Sequence, residues 1–446
     1  MTGRPQPEIA PPPDWAFPTP QRARLSNGID VLVFDLPGQH VIAAHLIFDC
    51  PLSAEDRALE GVATICARTL DEGTRTHGGE EFAELLETEG AGFGIDVSLS
   101  GLQTVLDVPA GRLDAAFALF AEAIREPAFR AEDVNRHVQL RLAEIEQAQA
   151  NSAQTAAIAF RRAVFADDRR AARMSGGEPE TVAAVTPEAV RAFHADHFGP
   201  SGATLVLAGE FASDPLAMAE RHLGGWTNEG QVAVVHEAAR PAPQTSVLID
   251  RPGAVQADLR LGGFAPDRKD PRWADLTVAS YAMGGAFLSR LNAVLREEKG
   301  YTYGVRLNFG PLRTGGSWAV QGSFRTEVLV DAVAEARRLL DVADAPFTAA
   351  EVEAAVSFFV GLSPLRYATA DGVADQAATQ VLADLPDGYV DQSLAELRAV
   401  TAGSATSAYR SVVDLEDVSL VVVGHAETLA DGLRDSGFTD LEIRQA

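Results

Sequence analysis

The sequence predicts an α+β protein built from two related halves. The observations behind this are a set of landmarks that return in the same order at nearly the same interval. They are Val185-Thr186 with Val400-Thr401, Gly209 with Gly424, and Phe129 and Val134 with Phe347 and Val352. A repeat of this length points to a duplicated unit, and each unit mixes hairpin-connected strands with paired helices. We therefore place a first half at residues 23–226, a joining linker at 227–246 and a second half at 247–446.

The elements of the first half follow from hydrophobic period and turn signals. Asn27-Gly28 is a turn signal, and the β-rich run that follows it predicts a hairpin over residues 25–33. Thr186-Pro187-Glu188 is a typical helix start. Period and composition then predict strands at 41–48, around 92–108 and at 203–208, and helices at 60–70, 113–124, 131–149 and 186–197.

Composition limits the classes of function. The chain has 446 residues, 46% of them hydrophobic, and a formal net charge of -26. Such an acidic chain repels nucleic acid and anionic membranes, and no apolar run reaches the length of a membrane span. The Pro-rich residues 1–22 lack the apolar core of a signal peptide and predict a disordered tail. Cys50 and Cys66 do not suggest a disulfide framework, so we expect a cytoplasmic protein.

One stretch of the second half, residues 284–309, changes its period in the middle. Its apolar positions 287, 288, 291, 294 and 295 follow a helical period, and Lys299-Gly300 is typical of a helix end. From residue 301 to residue 309 the period is two, which predicts a strand. A short turn between the two elements would bring Arg296, in the last helical turn, and Tyr303, in the strand, towards one spot.

The residues around this pair resemble a motif of a known family. Arg296-Glu297-x-x-Gly300-x-x-Tyr303 follows Gly-Gly-x-Phe-x-Ser-Arg-Leu, and this run is similar to the C-terminal arginine/tyrosine motif of the insulinase/pitrilysin zinc peptidases, in their mitochondrial-processing-peptidase-like branch. The resemblance covers nearly all of the chain after residue 22. It implies a clamshell of two homologous α+β halves, each a mostly antiparallel sheet with packed helices. It also implies that Arg296 and Tyr303 contact a substrate carbonyl, where a fixed cation and a phenol O–H stabilise an oxyanion.

The same resemblance implies a zinc motif, H-x-x-E-H, on the first helix of the first half. Its flanks are present in residues 61–63 and 70–74, but the motif itself reads Thr64-Ile65-Cys66-Ala67-Arg68. Arginine stays protonated and cannot ligate a metal, and alanine cannot accept a proton from water. Glu144 fits the position of the family's third ligand. Because a lone carboxylate does not hold catalytic zinc, we interpret Glu144 as a helix-surface acid near Arg68 and Arg141.

The other metal candidates in the sequence are weak. Cys66 lies on the apolar stripe of its helix, which indicates a buried structural thiol. His194 and His197 stand three positions apart at the end of a predicted helix, and we interpret them as structural. The remaining histidines are scattered along the chain: His40, His45, His77, His137, His222, His236 and His425. We therefore expect no metal and no cofactor in this chain.

The sequence thus predicts a zinc-less subunit of a heteromeric metallopeptidase that is inactive alone. The resemblance implies a homologous partner chain that carries the zinc, and extended peptides as substrates. Arg296 and Tyr303 would then hold the substrate carbonyl from the facing chain. Two alternatives stay open: an inert structural or interaction subunit, like the peptidase-derived core proteins of respiratory complexes, and a standalone peptidase with an unrecognised site. The presence of both Arg296 and Tyr303 favours the first interpretation, because a scaffold gains nothing from keeping them.

Overall fold

Twelve strands form two six-stranded sheets, one in each half, in a computed structural model that describes residues 15–445. The first sheet contains Gln21–Arg24 (β1), Asp30–Asp35 (β2), Val41–Phe48 (β3), Gly92–Ser98 (β4), Gly101–Pro109 (β5) and Ala203–Gly209 (β6). The second contains Ser246–Asp250 (β7), Gln256–Ala265 (β8), Val305–Pro311 (β9), Gly316–Arg325 (β10), Ser419–Gly424 (β11) and Glu442–Gln445 (β12).

Sixteen α-helices connect and cover the sheets in the described part of the chain. Those of the first half are Val62–Arg68 (α1), Gly79–Thr88 (α2), Leu113–Arg125 (α3), Ala131–Ala150 (α4), Ser152–Val164 (α5), Pro179–Ala183 (α6), Pro187–His197 (α7) and Pro215–Leu223 (α8). Those of the second half are Trp273–Ser280 (α9), Arg290–Asn292 (α10), Leu329–Leu340 (α11), Ala349–Arg366 (α12), Ala370–Leu382 (α13), Tyr389–Ala399 (α14), Ala402–Arg410 (α15) and Ala426–Asp435 (α16). Over residues 15–445, no helix is both long and apolar enough to span a membrane.

Five of the six strands in each sheet follow one topology, which confirms the predicted α+β fold of two related halves. Their strand orders are β1-β2-β6-β3-β5-β4 and β12-β7-β11-β8-β10-β9. Strands β6 and β11 take the same third place, and each runs parallel to one neighbour and antiparallel to the other. Gly209 and Gly424 end these two strands, as the repeat predicted. Both sheets are therefore mixed, and their edge strands differ, since β1 runs antiparallel to β2 whereas β12 runs parallel to β7.

The prediction of a disordered tail over residues 1–22 is wrong for residues 15–22. Residues 1–14 of this prediction lie outside the described residues. From residue 15 onward the chain is packed: the ring of Trp15 stacks on that of Tyr367 at a centroid distance of 5.6 Å. The amide of Phe17 donates a hydrogen bond of 2.9 Å to Asp391 Oδ1, and strand β1 begins at Gln21. Two aromatic side chains therefore hold residues that composition alone placed in a free tail.

The central strands are buried on both faces, and the second face of each sheet is covered by a helix of the other half. Strand β3 shows the pattern, because only its first residue is exposed. Side chains at positions 42, 44, 46 and 48 pack in the core of the first half. Ala43 and Ile47 point the other way, against α13 of the second half.

The converse contact closes the second sheet. Helix α5 of the first half packs on β8 and β11, where Phe160 and Val164 meet Val421 and Val423. The two halves therefore exchange helices α5 and α13. This exchange joins them through side chains as well as through residues 227–245, which form no helix and only one isolated bridge, at Pro241, within the described structure.

A larger side chain on the inner face of α13 is expected to weaken the exchange. Ala374 is fully buried against the first sheet, so Ala374→Leu should overpack this contact and lower the free energy of unfolding by about 1–3 kcal/mol. Chemical denaturation measures the change. Ala395→Leu, on the exposed face of α14, is the matched control and should unfold like the parent. Equal stability of both variants would contradict the close packing of α13.

Candidate functional site

Helix α1 carries the residues that replace the zinc motif, and a buried carboxylate holds its first turn. Gly61, just before the helix, has a φ of +106°, a value that favours glycine. Glu55 Oε1 accepts hydrogen bonds from the amides of Gly61 and Ala63, at 2.8 and 3.1 Å. Glu55 Oε2 pairs with Arg170 at 2.9 Å, and the exposed fractions of these two side chains are 0% and 3%. Burial raises the pKa of Glu55, and Arg170 acts in the opposite direction.

Arg68 occupies the place where the family's second zinc histidine would stand, and it is bonded to Glu144. Arg68 Nη1 donates to Glu144 Oε1 at 2.8 Å, and Arg141 Nη1 donates to Glu144 Oε2 at 3.1 Å. The hydrogen bond from Arg68 is the largest influence that lowers the pKa of Glu144. The interpretation of Glu144 as an acid near these two arginines therefore agrees with the structure.

Zinc does not fit this constellation. Both oxygens of Glu144, the one family ligand present, already accept hydrogen bonds from guanidinium groups. The side chains of Thr64 and Ala67 complete the wall beside Arg68, and neither is a good zinc ligand. The ion pair is itself part-exposed, at 37% and 42%, so it contributes at most about 1 kcal/mol to stability.

The replaced motif opens onto a cationic cleft of about 510 Å³. Arg68, Arg141 and Arg161 line it together with Asp96 of β4 and residues of helix α5. Burial and the nearby charge of Arg170 lower the pKa of Arg161 to about 10. The cleft therefore presents guanidinium groups where the related peptidases would hold a metal.

The histidine pair and the cysteines take the structural roles expected of them. His194 lies against the backbone, with Nε2 2.7 Å from the carbonyl oxygen of Ile124, and its ring stacks on Phe198. Burial lowers its pKa to about 4. Cys50 and Cys66 are free and buried, and burial raises the pKa of the Cys50 thiol to about 12.

The helix predicted from residue 284 is interrupted, and the strand begins later than predicted. A π-helical turn, Tyr281–Gly285, ends where Gly284 comes so close to β9 that a Cβ atom would lie 2.3 Å from the amide nitrogen of Leu307. Residues 286–289 form a loop, and the helix resumes as α10 and a second π-helical turn, Ala293–Glu298. Phe287 and Leu288, assigned to the apolar stripe, are 74% and 70% exposed. The close approach of Gly284 to β9 accompanies the break that local periodicity did not predict.

Residues 301–304 belong to the turn before β9, which corrects the predicted start of the strand. Gly300 has a φ of +61°, as the helix-end signal implied. The Thr302 hydroxyl then donates to the carbonyl oxygen of Ser323 at 2.7 Å, lies 3.0 Å from that of Gly304, and accepts from the amide of Gly304. These bonds hold the backbone in a turn, so Tyr303 lies before the strand and not at its third residue.

Arg296 and Tyr303 have different surroundings. Arg296 Nε donates to Glu297 Oε1 at 2.7 Å and Nη2 donates to the carbonyl oxygen of Phe287 at 2.8 Å. Its guanidinium carbon lies 3.7 Å from the centroid of the Phe287 ring. The Tyr303 side chain is 99% exposed. Within residues 15–445, Arg296 forms no hydrogen bond with Tyr303.

Asn292 connects this helix to β9, a role that the sequence analysis did not assign. It is 5% exposed. Its Nδ2 donates to the carbonyl oxygen of Val305 at 2.9 Å, and its Oδ1 accepts from the amide of Val305 at 3.0 Å. Asn292 Nδ2 also lies 3.0 Å from Ser289 Oγ. A polar residue between the apolar positions 291, 294 and 295 was the available signal.

Removing the amide of Asn292 should loosen the turn that carries Tyr303. Asn292→Ala leaves the buried amide and carbonyl groups of Val305 unpaired, and each unsatisfied group costs about 1–3 kcal/mol. We expect lower stability in chemical denaturation and faster amide exchange at residues 300–305. The control is Asn308→Ala, on the exposed side of β9, which should change neither quantity. If amide exchange at residues 300–305 is unchanged in Asn292→Ala, the hydrogen bonds from Asn292 do not hold the turn.

Restoring the motif residues should restore zinc binding if Glu144 stands at the third-ligand position. We expect Thr64→His/Ala67→Glu/Arg68→His to bind one zinc ion more per chain than the parent, because the i, i+4 histidines share a helix face. Metal analysis after dialysis measures the difference. Adding Glu144→Ala should remove the extra zinc. A triple variant that binds no more zinc than the parent would show that α1 and Glu144 are not placed for a metal.

Comparisons with known proteins agree with the fold. Residues 31–174 match the family model described as Insulinase (Peptidase family M16), and residues 184–358 match Peptidase M16 inactive domain. The non-peptidase homolog YmxG of Helicobacter pylori is 22% identical over 387 residues, 85% of this chain and 88% of the relative.

Solved structures show the same fold. The crystal structure of a peptidase M16 inactive domain from Pseudomonas fluorescens superposes with a TM-score of 0.84 at 23% identity, covering 91% of this chain and 98% of that one. A chain of complex III2 from Candida albicans superposes with a TM-score of 0.77 at 15% identity, covering 95% and 100%. The two family models match most of the chain and the fold agrees with them, so the chain belongs to the insulinase-type (M16) peptidase family, as a member without the histidines of the zinc motif.

Proposed function

We propose that this chain is the zinc-less subunit of a heteromeric metallopeptidase that hydrolyses extended peptides. A homologous partner chain would hold the zinc, which supplies an activated water and polarises the peptide carbonyl. This chain would contribute Arg296 and Tyr303 as donors to the carbonyl oxygen. The altered motif at positions 64, 67 and 68 supports the assignment of metal chemistry to another chain, as do relatives described as inactive or non-peptidase.

The observation that carries the proposal is the exposed phenol of Tyr303 on a well-held turn. Its neighbours are anchored: Thr302 bonds to Gly304 and Ser323, and Asn292 bonds to Val305. A phenol O–H donates one hydrogen bond, and the exposed fraction of 99% leaves it open to a ligand from outside the chain. The backbone that carries this donor is held in advance, and stabilisation of an oxyanion uses preorganised donors.

Arg296 keeps N–H donors for a substrate without losing its present contacts. A guanidinium group has five N–H donors, and the two hydrogen bonds to Glu297 and Phe287 use only part of them. The same contacts and the stacking on Phe287 hold the side chain in place. Phe287 and Leu288 are themselves exposed apolar side chains beside this arginine, and a partner chain would cover them.

The rival function is an inert structural subunit, and one observation favours it. Arg296 is bonded to its own chain, and an arginine that only braces the 286–289 loop would make the same contacts. In that case Tyr303 would be a surface side chain without a role in turnover. The two functions differ in what the loss of one hydroxyl group does to peptide cleavage.

The test is Tyr303→Phe in a complex reconstituted with a zinc-bearing homologue encoded by the same genome. Losing one oxyanion donor typically costs about 100- to 1000-fold in rate, so we expect cleavage of a quenched fluorescent peptide to fall by about that factor. Complex formation, followed by size-exclusion chromatography, should stay normal because the ring is retained. Arg296→Ala should lower the rate to a similar extent.

The matched control is Tyr301→Phe, the same change two residues earlier, where the ring packs against the core of the second half. It should leave the rate unchanged. If Tyr303→Phe forms the complex and cleaves at the parental rate, the role of Tyr303 in substrate contact is wrong and the structural subunit is the better function. If no zinc-bearing homologue yields activity with this chain, the heteromeric peptidase itself is ruled out.

A further inference from the structure

A histidine and two aspartates meet where helix α13 of the second half crosses the first sheet. His45 lies in the middle of β3, and Asp371 and Asp375 lie one turn apart on α13. His45 Nε2 is 3.8 Å from Asp371 Oδ1, and His45 Nδ1 is 3.8 Å from Asp375 Oδ1. One possible ligand atom from each of the three residues lies within 4.8 Å of the others.

The histidine of this cluster is buried without a partner for one nitrogen. The His45 side chain is 0% exposed, and its Nε2 has no hydrogen-bond partner among the described residues. Burial lowers the pKa of His45 to about 4, so the imidazole is neutral near pH 7. A buried polar nitrogen is costly unless something satisfies it, and this one points towards a carboxylate that is 57% exposed.

The cluster also contains an excess of negative charge. Asp107 of β5 lies near the two aspartates of α13: burial raises its pKa first, and the charges of Asp371 and Asp375 raise it further. Burial, Asp371 and Asp96 likewise raise the pKa of Asp375. Over residues 15–445, no arginine or lysine forms an ion pair with any of these four aspartates. Like charges without a counter-ion destabilise one another.

The equivalent place in the second half contains a cation. His45 pairs with Val206 of β6, and Arg260 pairs with Val421 of β11, each opposite a residue three positions before the terminal glycine. Arg260 contacts α5, the helix exchanged in the other direction, through the carbonyl oxygen of Ala153 at 3.4 Å. Where α13 crosses the first sheet there are a neutral histidine and two carboxylates, and where α5 crosses the second sheet there is a guanidinium group.

We propose that His45, Asp371 and Asp375 bind one divalent transition-metal ion, of which Zn²⁺ is the best-suited probe, at the crossing of the two halves. One imidazole with two carboxylates suits Zn²⁺ or Co²⁺ better than Mg²⁺ or Ca²⁺, which prefer oxygen ligands alone. One ligand comes from β3 of the first half and two from α13 of the second, so the metal would tie the exchanged helix to the first sheet. This site is independent of the proposed peptidase role, and it departs from the expectation that the chain binds no metal.

The remaining nitrogen of His45, Nδ1, lies beside the side-chain amide of Gln103, which can support it as a metal ligand after the amide turns. The side-chain nitrogen of Gln103, on β5, lies 3.0 Å from His45 Nδ1 and donates to Asp375 Oδ1 at 3.4 Å. A ligating histidine usually donates its second N–H to an oxygen, and Gln103 supplies one when its amide is turned by 180°. Zinc bonds of 2.0–2.1 Å place tetrahedral ligand atoms about 3.3 Å apart. The two carboxylates are 57% and 62% exposed, so their side chains have room to rotate towards this spacing.

The test is a titration of the full-length, chelator-treated chain with Co²⁺, whose visible absorption reports coordination, followed by displacement with Zn²⁺. We expect one Co²⁺ per chain with an absorption band that Zn²⁺ abolishes, and a higher melting temperature with either metal. Asp371→Asn/Asp375→Asn should lose the band and the temperature shift. Gln103→Leu should weaken the affinity by about 10- to 100-fold, the usual effect of removing a partner of a ligating histidine.

The matched control is Asp431→Asn/Asp435→Asn, two aspartates at the same spacing on the exposed side of α16. This variant should bind Co²⁺ like the parent. A parent chain without the band, or a band of equal strength in Asp371→Asn/Asp375→Asn, would overturn the proposal. The Co²⁺ titration uses neither the restored-motif variant nor the peptidase rate. A negative titration would therefore leave the proposed peptidase role untouched.

Discussion

Each sheet has two apolar faces, and the helices of its own half cover only one of them. Helices α13 and α5 cover the remaining faces by exchange, so neither sheet is fully buried without the other half. Each of these two helices also borders one chemistry-bearing cluster. Helix α5 lines the cleft beside Arg68, and α13 brings its aspartates to His45. The burial of the second faces thus determines where chemistry-bearing side chains can meet.

The altered motif keeps the electrostatic form of a metal site while changing its chemistry. Glu144 still faces positive charge at residue 68, and that charge keeps its pKa low. The guanidinium group neutralises the carboxylate as a metal cation would. Unlike a metal, it has no coordination position for a water molecule and activates none. The buried pair of Glu55 and Arg170 meanwhile holds the start of the helix in place. The scaffold of the site can therefore stay intact although the three motif residues of a zinc hydrolase are replaced.

Sequence reasoning predicted best where local pattern and tertiary burial agree. Strand β3 was predicted with its observed ends because its apolar run is buried along its length. Sequence reasoning failed at residues 286–289. Phe287 and Leu288 match a helical period there, but the close approach of Gly284 to β9 accompanies a break in the helix. The His45 cluster was out of reach for another reason. Its members come from both halves, and only the exchange of α13 brings them together, which no local period reveals.

The exchange of helices has a consequence for the linker. The segment around residues 236–242 is itself bonded to the first half, through the amides of Ala166 and Ala242 and the carboxylate of Glu237. The halves are held together mainly by α5 and α13, each seated on the opposite sheet. A peptide-bond cleavage near residue 230 would therefore leave a nicked, two-fragment complex. Each fragment carries the helix that covers the other fragment's sheet, so the two pieces are complementary fragments and not autonomous domains.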